Sequence, residues 1–572
     1  MKKIILITAV TAAIFLLPAC NSTTSVTTTD TTTNTGDDSS DFVEEQTWNS
    51  SVSVSWSGST ATISELPDGV TATNESGYVT ITSTVKNIEY VLSGSGSGQL
   101  KVYSDYKYKL TLNSLTLTCS NGPAINNQSS KSLYLVLDGS STLSDGSTYA
   151  DSSEDQKAAL FSEGQIIVTG DGSLTVNGNF KHAIASDDYI RIREGELTLK
   201  ATGSDGLHAN DGIIINGGSL SINAASEGIQ CDTSSVVITA GTVNITAAGD
   251  KGILAYSSID ISGGTITIKS VDKGIKSKAG NISVSSASID ITTSGDDGKG
   301  ILAKLGQINI TSGVINVNTV GSSAKGIKAQ GNINISGGTI NVICEGGSSS
   351  ASFAPQAGPG GGMGGGTQPG GMGGGTQPGG MGGGTQPGGM GGNEASGPEG
   401  IESKSALTIS GGTVYAQSSD DAINSGGDLT ITDGYVCAYS TGNDGMDANG
   451  DCYIKGGIVY AIAAGGAEVG IDANSEERKQ LTVSGGSVVA IGGLEKGSSV
   501  SIKSTSATYS NNTWYALYDN STLVFAFKTP ASGANSMTVC TKSAPTLTSG
   551  VTVSGGTTIF NGMGNINGTV TK

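Results

Sequence analysis

One short signature recurs along most of the chain: a charged residue, Gly, Ile, any residue, then Ala or Ser. It reads DGLHAN from Asp205, EGIQCD from Glu227, KGILAY from Lys251, KGIKSK from Lys273, KGILAK from Lys299 and KGIKAQ from Lys325. After a gap it resumes as EGIESK from Glu399, DAINSG from Asp421, DGMDAN from Asp444 and VGIDAN from Val469. Fainter copies precede it from Ala158 and His182, and successive steps outside the gap are 22 to 26 residues. A fixed period of this length marks a solenoid, in which each unit buries its apolar side only against its neighbours.

Each signature is followed by a block such as INISGGTINV (Ile333 to Val342) or LTISGGTVYA (Leu407 to Ala416). Period-two alternation, a Gly-Gly corner and renewed alternation give about three short strands per repeat. No repeat carries a helical stripe, which disfavours a βα solenoid, and a propeller blade needs about twice the length. The predicted fold is all-β: a right-handed, single-stranded parallel β-helix over residues 121–500, rising about 4.8 Å per coil. Residues 46–120 and 501–572 alternate like strands but lack the signature, and read as N- and C-terminal β caps over open edges. A Gly/Met-rich insertion at 346–398 breaks the register. Its nine-residue period sets Met363, Met372, Met381 and Met390 in step without the Asp that calcium-binding nonapeptides need, so a disordered loop is expected there.

The N-terminus reads as a signal peptide over residues 1–19, with Lys2 and Lys3 before the apolar run Ile4 to Leu17. Leu17-Pro18-Ala19-Cys20 resembles a bacterial lipobox, which implies a lipidated Cys20 and a cell-surface location, at the outer membrane if the cell has two. Residues 20–45 form a Ser/Thr-rich tether that cannot bury a core. The other six cysteines have no CxxC or zinc spacing and are expected mostly as buried free thiols, with a disulfide left open. Net charge is -19 and only three arginines occur, which argues against nucleic acid as a partner.

Two patterns carry chemistry. In DGMDANGD, period two sets Asp447, Asn449 and Asp451 on the outer side, with Asp444 in the turn before. One coil later stand Asp472, Asn474 and Glu476. Like charges about 5 Å apart at an effective dielectric of about 20 repel by about 3 kcal/mol. A hard cation with oxygen ligands, calcium, is the natural offset. Asp447-x-Asn449-x-Asp451 also starts like an EF-hand loop, but Cys452 replaces the required Gly. A second acidic group comprises Asp187, Asp188, Asp205, Asn210, Asp211, Glu227 and Asp232. In the middle coils the sign changes, with Lys273, Lys276, Lys278, Lys304 and Lys328 as candidate ligand-binding residues beside Lys251, Lys299, Lys325 and Lys404. Two readings stay open: an ion-pair ladder with Asp250, Asp272, Asp296 and Asp297, or a groove for a polyanion such as a uronic-acid polysaccharide. Tyr256, Tyr415, Tyr435, Tyr439, Tyr453 and Tyr460 are candidate sugar-stacking faces.

The repeats at Asp205 to Asn223, Lys325 to Val342 and Asp444 to Ala461 resemble bacterial carbohydrate-binding β-helix lipoproteins of the pectate-lyase-like fold, as does the tail around Ser543 to Leu547. The resemblance implies a monomeric surface binder of plant-cell-wall polysaccharides, cellulose and acidic polygalacturonate among them, assisted by calcium. An alternative is a pectate-lyase-like β-eliminase, which needs calcium and a base, for which Lys276, Lys278 or Lys328 are candidates. Arg191 and Arg193 are the only arginines of the repeat region before Arg478. His182 and His208 have no nucleophile motif with them, so no catalytic residue is assigned. A passive surface adhesin is the third reading.

Overall fold

The computed structural model describes residues 39–347, 397–465, 468–533 and 535–572. The signal peptide, Cys20, the tether up to residue 38 and most of the Gly/Met-rich insertion lie outside the described residues. The described chain is an all-β parallel solenoid of about fifteen turns.

Each coil contributes three strands, for example Lys251–Ala255, Ile259–Ile261 and Thr265–Ser270. The next coil repeats them as Lys273–Ser277, Ile282–Val284 and Ser288–Thr293. Pairing is parallel and in register, with Ile253 beside Ile275, Ile259 beside Ile282 and Ile266 beside Ile289. The three series make three flat faces, here called the signature face, the short face and the long face. Alternate side chains point inward and stack into one core of Ile, Val and Leu along the axis. Fully burying each such side chain contributes about 1.5–3 kcal/mol.

The signature glycine has a steric cause. A Cβ on Gly252, Gly274, Gly300 or Gly326 would lie 2.3, 2.4, 2.1 or 2.0 Å from a methyl carbon of Ile268, Ile291, Val317 or Val342. Those residues fill the corner from the long face of the same coil. In the Gly-Gly corner the second glycine holds a left-handed backbone, as at Gly338 with φ 90°. Gly300→Ala is expected to cost about 1–3 kcal/mol through overpacking. Adding Val317→Ala vacates the contact, so the double variant should lose less than the two single losses summed, read from urea midpoints. A strictly additive loss would refute this account of the signature.

The parallel ladder begins before residue 121. Ser50–Gly58 pairs in parallel with Ile88–Ser97, which pairs in parallel with Tyr108–Thr118. Within the segment expected as a cap, the antiparallel pairs are Ser50–Gly58 with Thr60–Ile63 and Val70–Glu75 with Tyr78–Ser83. The last residues of the expected tether, 39–45, are also docked. Asp41 accepts a hydrogen bond from the Tyr189 hydroxyl at 2.5 Å and ion-pairs with Arg191 at 2.9 Å. Glu44 ion-pairs with Arg193 at 2.9 Å.

At the far end, Ser536–Thr541 pairs antiparallel with the long-face strand Ser487–Ile491, so parallel stacking stops there. The five-stranded sheet built on Trp514–Asp519 and Thr522–Lys528 lies against the flank of the last coils. Its Phe525 and Phe527, with Phe560 of the one-turn helix Phe560–Gly562, pack on Tyr415, Cys437, Tyr460 and Val489, which point outward from the long face. All six described cysteines are buried free thiols.

Candidate functional site

The outer surface of the signature face is organised by two neighbouring columns of side chains. The first holds the residue before each signature glycine. There Lys251, Lys273, Lys299, Lys325 and Glu399 pair in series. The second holds the residue two positions after that glycine. It runs from His208 through Gln230, Leu254 and Lys276, then through Leu302, Lys328 and Glu402 to Asn424 and Asp447. Isolated bridges from Met446 to Ile471 and from Ile471 to Leu494 carry the column on to Asp472 and Glu495.

The acidic end stacks Asp447 next to Asp472, as period two predicts, but the group differs from the expected one. Asp421, Asp444, Asp447 and Asp472 come together with Asn424, Asn443, Asp420 and Glu495. Asn424 Nδ2 donates to Asp421 at 2.9 Å, and Asn443 Nδ2 donates to Asp421 at 2.8 Å and Asp420 at 3.0 Å. Burial, then the charge of Asp447, pushes the Asp421 carboxyl up to about 8. Burial and neighbouring acids push Asp444 up to about 7. Burial, a hydrogen bond to Glu495 and nearby acids push Asp472 up to about 8. Burial and the charge of Asp420 raise Asp447. Asn449, Asp451, Asn474 and Glu476 stand apart. Asp451 accepts from the Gln480 N–H at 2.9 Å, and Asn474 caps the one-turn helix Ser475–Glu477. Asn449 and Glu476 are exposed.

The basic middle resolves into paired and unpaired lysines. Lys251 pairs with Asp250 and, at 3.2 Å, with Glu227. Lys273 pairs with Asp272, and Lys299 with Asp297 at 2.5 Å. Lys325 lies 3.0 Å from Glu399 and 3.8 Å from Glu402, while Lys328 lies 2.7 Å from Glu402, which Lys404 also meets. Lys276, Lys278 and Lys304 form no salt bridge among the described residues, although Asp272 attracts Lys276 from beyond contact. Burial, then the charges of Lys251 and Lys273, holds the Lys276 ammonium below its ordinary value. Tyr256 is 49% exposed one coil before Lys278 in the same column, and Leu305 beside Lys304 is exposed as well. Of the other tyrosines, Tyr415 and Tyr460 are buried under the C-terminal sheet and offer no sugar face. Arg191 and Arg193 are held by Asp41 and Glu44, so neither is a free base.

The second acidic group divides. Asn210 donates to Asp187 at 3.2 Å, Asp187 pairs with Lys157, and Asp188 accepts from Gln165 at 2.5 Å. Asp211 accepts from the Thr233 hydroxyl at 3.1 Å, and Glu227 turns to Lys251. Asp205 and Asp232 instead meet the two histidines. Asp205 Oδ2 is 3.1 Å from His182 Nδ1 and 2.9 Å from His208 Nδ1, and Asp232 Oδ2 is 3.3 Å from His208 Nε2. Burial alone would raise the Asp205 carboxyl, but hydrogen bonds from both histidines hold it well below the ordinary carboxylate range. The signal for this cluster was in the sequence: His182 occupies the signature's first position, and Asp205 occupies it one coil later.

A family model described as carbohydrate-binding domain-containing protein matches residues 75–299 and 240–445. A solved structure of the polysaccharide lyase-like protein from C. thermocellum, a gadolinium derivative, is similar at 23% identity. That similarity covers 46% of this chain and 96% of that one, with a TM-score of 0.34. No curated protein matches the chain.

Proposed function

The chain belongs to the family of carbohydrate-binding domain-containing proteins, and from that premise we propose that it binds an acidic polysaccharide along the outer strip of its signature face. The observation that carries this reading is the trio Lys276, Lys278 and Lys304, which form no salt bridge among the described residues, beside exposed Tyr256 in a chain of net charge -19. Lys251, Lys273, Lys299, Lys325, Lys328 and Lys404 each have an acidic partner. A uronic-acid chain supplies the missing carboxylates, and a tyrosine ring offers an apolar face to sugar C–H groups. The strip continues to the Asp421, Asp444, Asp447 and Asp472 group, five coils or about 24 Å from Lys276 to Asp447. Calcium there would relieve like-charge repulsion and, with its six to eight oxygen ligands, accept glycan oxygens in the same shell. A lipid on Cys20 would hold this strip at the cell surface.

In affinity electrophoresis, polygalacturonate in the gel is expected to retard the protein, and chelator to relieve the retardation. Replacing Lys276, Lys278 and Lys304 together with Gln should weaken binding roughly ten- to a hundredfold, at about 0.5–1 kcal/mol per lost ion pair. Equal mobility of the parent protein and the triple variant across acidic and neutral glycans would overturn the reading.

A further inference from the structure

The chain has two histidines in all, and the fold brings them together. His182 lies in His182–Ser186 and His208 in Leu207–Ala209, parallel neighbours on the signature face. Their rings stack with centroids 4.2 Å apart and planes 24° apart. His182, Asp205 and His208 are 1%, 2% and 6% exposed. Among the described residues they form the one set of three His, Cys, Asp or Glu donors whose ligand atoms lie within 4.8 Å of one another.

The hydrogen bonding of His182 is unresolved by its neighbours. The Asp205 backbone N–H donates to His182 Nδ1 at 3.3 Å, which marks that nitrogen as an acceptor. Its lone pair then also faces Asp205 Oδ2 at 3.1 Å, and two acceptors that close repel unless a cation lies between them. Moving the proton to Nδ1 satisfies the carboxylate but opposes the backbone donor. Nε2 is buried and without a partner as well, and an ion held at Nδ1 leaves it so. A buried polar group left unmet costs about 1–3 kcal/mol.

We propose that His182, Asp205 and His208 bind a borderline divalent transition-metal ion, with zinc the best fit, and that Asp232 orients His208 from behind. Two imidazoles with one carboxylate are the donor set of zinc rather than calcium, which takes oxygen alone. Tetrahedral bonds of about 2.0–2.1 Å separate two donors by about 3.4 Å. The 2.9 and 3.1 Å contacts set Asp205 Oδ2 beside both Nδ1 atoms, and the stacked rings, whose planes lie 24° apart, must turn to aim both lone pairs at one ion. Asp232 supplies the outer carboxylate that metal-bound histidines characteristically hold through their second nitrogen. The ion would tie consecutive coils together at the start of the acidic stretch. This site is independent of glycan binding.

The test uses purified full-length protein, freed of metal and kept in excess calcium so that oxygen sites are filled. Zinc chloride is titrated by calorimetry, and both imidazoles are followed by histidine-selective 15N NMR. We expect one tight zinc per chain and shifts in both imidazole signals. Affinity should fall about 10- to 100-fold in Asp232→Asn and further in His208→Gln, and be unchanged in Asp447→Asn. Imidazole signals unmoved at saturating zinc, or unchanged zinc affinity in His208→Gln, would overturn the proposal. The NMR measurement needs no variant, so a misfolded His208→Gln leaves the test decisive.

Discussion

Freed of divalent cations, the protein is expected to lose stability as pH rises from about 4 to about 8; in excess calcium the loss should be much smaller. Asp421 and Asp472 are pushed up to about 8 and Asp444 to about 7, in each case by burial first and then by neighbouring acids. In the unfolded chain these carboxyls ionise near 3.8. Across that window the native state therefore holds more protons than the unfolded state, so stability is full below about 4 and is lost through the folded values. Each tenfold gain in a buried carboxylate's proton affinity corresponds to about 1.4 kcal/mol. Mutual repulsion and the partial exposure of Asp472 reduce the sum, and the loss is expected to total about 3–5 kcal/mol. Calcium at about a hundred times its dissociation constant returns about 2.7 kcal/mol. Urea midpoints at pH 5 and pH 8, each with chelator and with calcium, read both effects. Asp421→Asn with Asp472→Asn should flatten the chelated slope and remove most of the calcium response. A calcium effect of equal size at both pH values would sink the idea.

Lys325→Met is expected to destabilise the protein by about 3–5 kcal/mol at pH 8, the cost of leaving buried charge without its counterion. Lys325 is 2% exposed, and Glu402, 3.8 Å from it, is 1% exposed. Burial would raise Glu402, but the charges of Lys325 and Lys328 hold it down to about 2. Its contribution is therefore present above its ordinary value and lost as pH falls through about 2. Glu399 has the opposite sign. Burial and the charge of Glu402 push it up to about 7, so it accepts a proton readily. The variant's loss should consequently shrink toward pH 5, where a protonated Glu399 no longer needs Lys325. Adding Glu399→Gln should recover part of the loss, because Lys325 and Glu399, 3.0 Å apart, then leave together. A loss below about 1 kcal/mol, or one that does not depend on pH, would contradict this account.

Much of the fold was legible because the solenoid writes its geometry into one repeat. The alternation around each Gly-Gly corner gave three strands per coil, and the stacking of Asp447 with Asp472 followed from period two. The site was only partly legible. Asp451 and Glu476 share the spacing of Asp447 and Asp472 but fall beyond the strand, where the chain turns and its own backbone takes their neighbours. Asp421 and Glu495 belong to the acidic group, yet DAINSG has lost the signature glycine and Glu495 lies past the last signature. The lysine run read as uniform because sequence shows neighbours along the chain. The paired state of Lys325 depends on Glu399 and Glu402, across the insertion. His182 and His208 belonged to no expected reaction, although aligning their two signatures already places His182 and Asp205 in register. The C-terminal sheet's position on the flank had no sequence signal, since Tyr415 and Tyr460 alternate like surface residues until Phe525 and Phe527 cover them.

The insertion corner has a consequence for how such a chain grows. Residues 348–396 enter after Gly347 and leave before Gly397, yet the ladder resumes in register, with Ile327 beside Ile401 and Ile340 beside Val414. Each coil answers only to the coils beside it. Whole coils can therefore be duplicated or deleted, and a corner can take in foreign sequence, without retuning the remainder. The outer strip then behaves as a ruler graduated in coils. On the proposed polysaccharide-binding reading its reach along a polymer is set by copy number, and whatever is carried at a corner evolves independently of it.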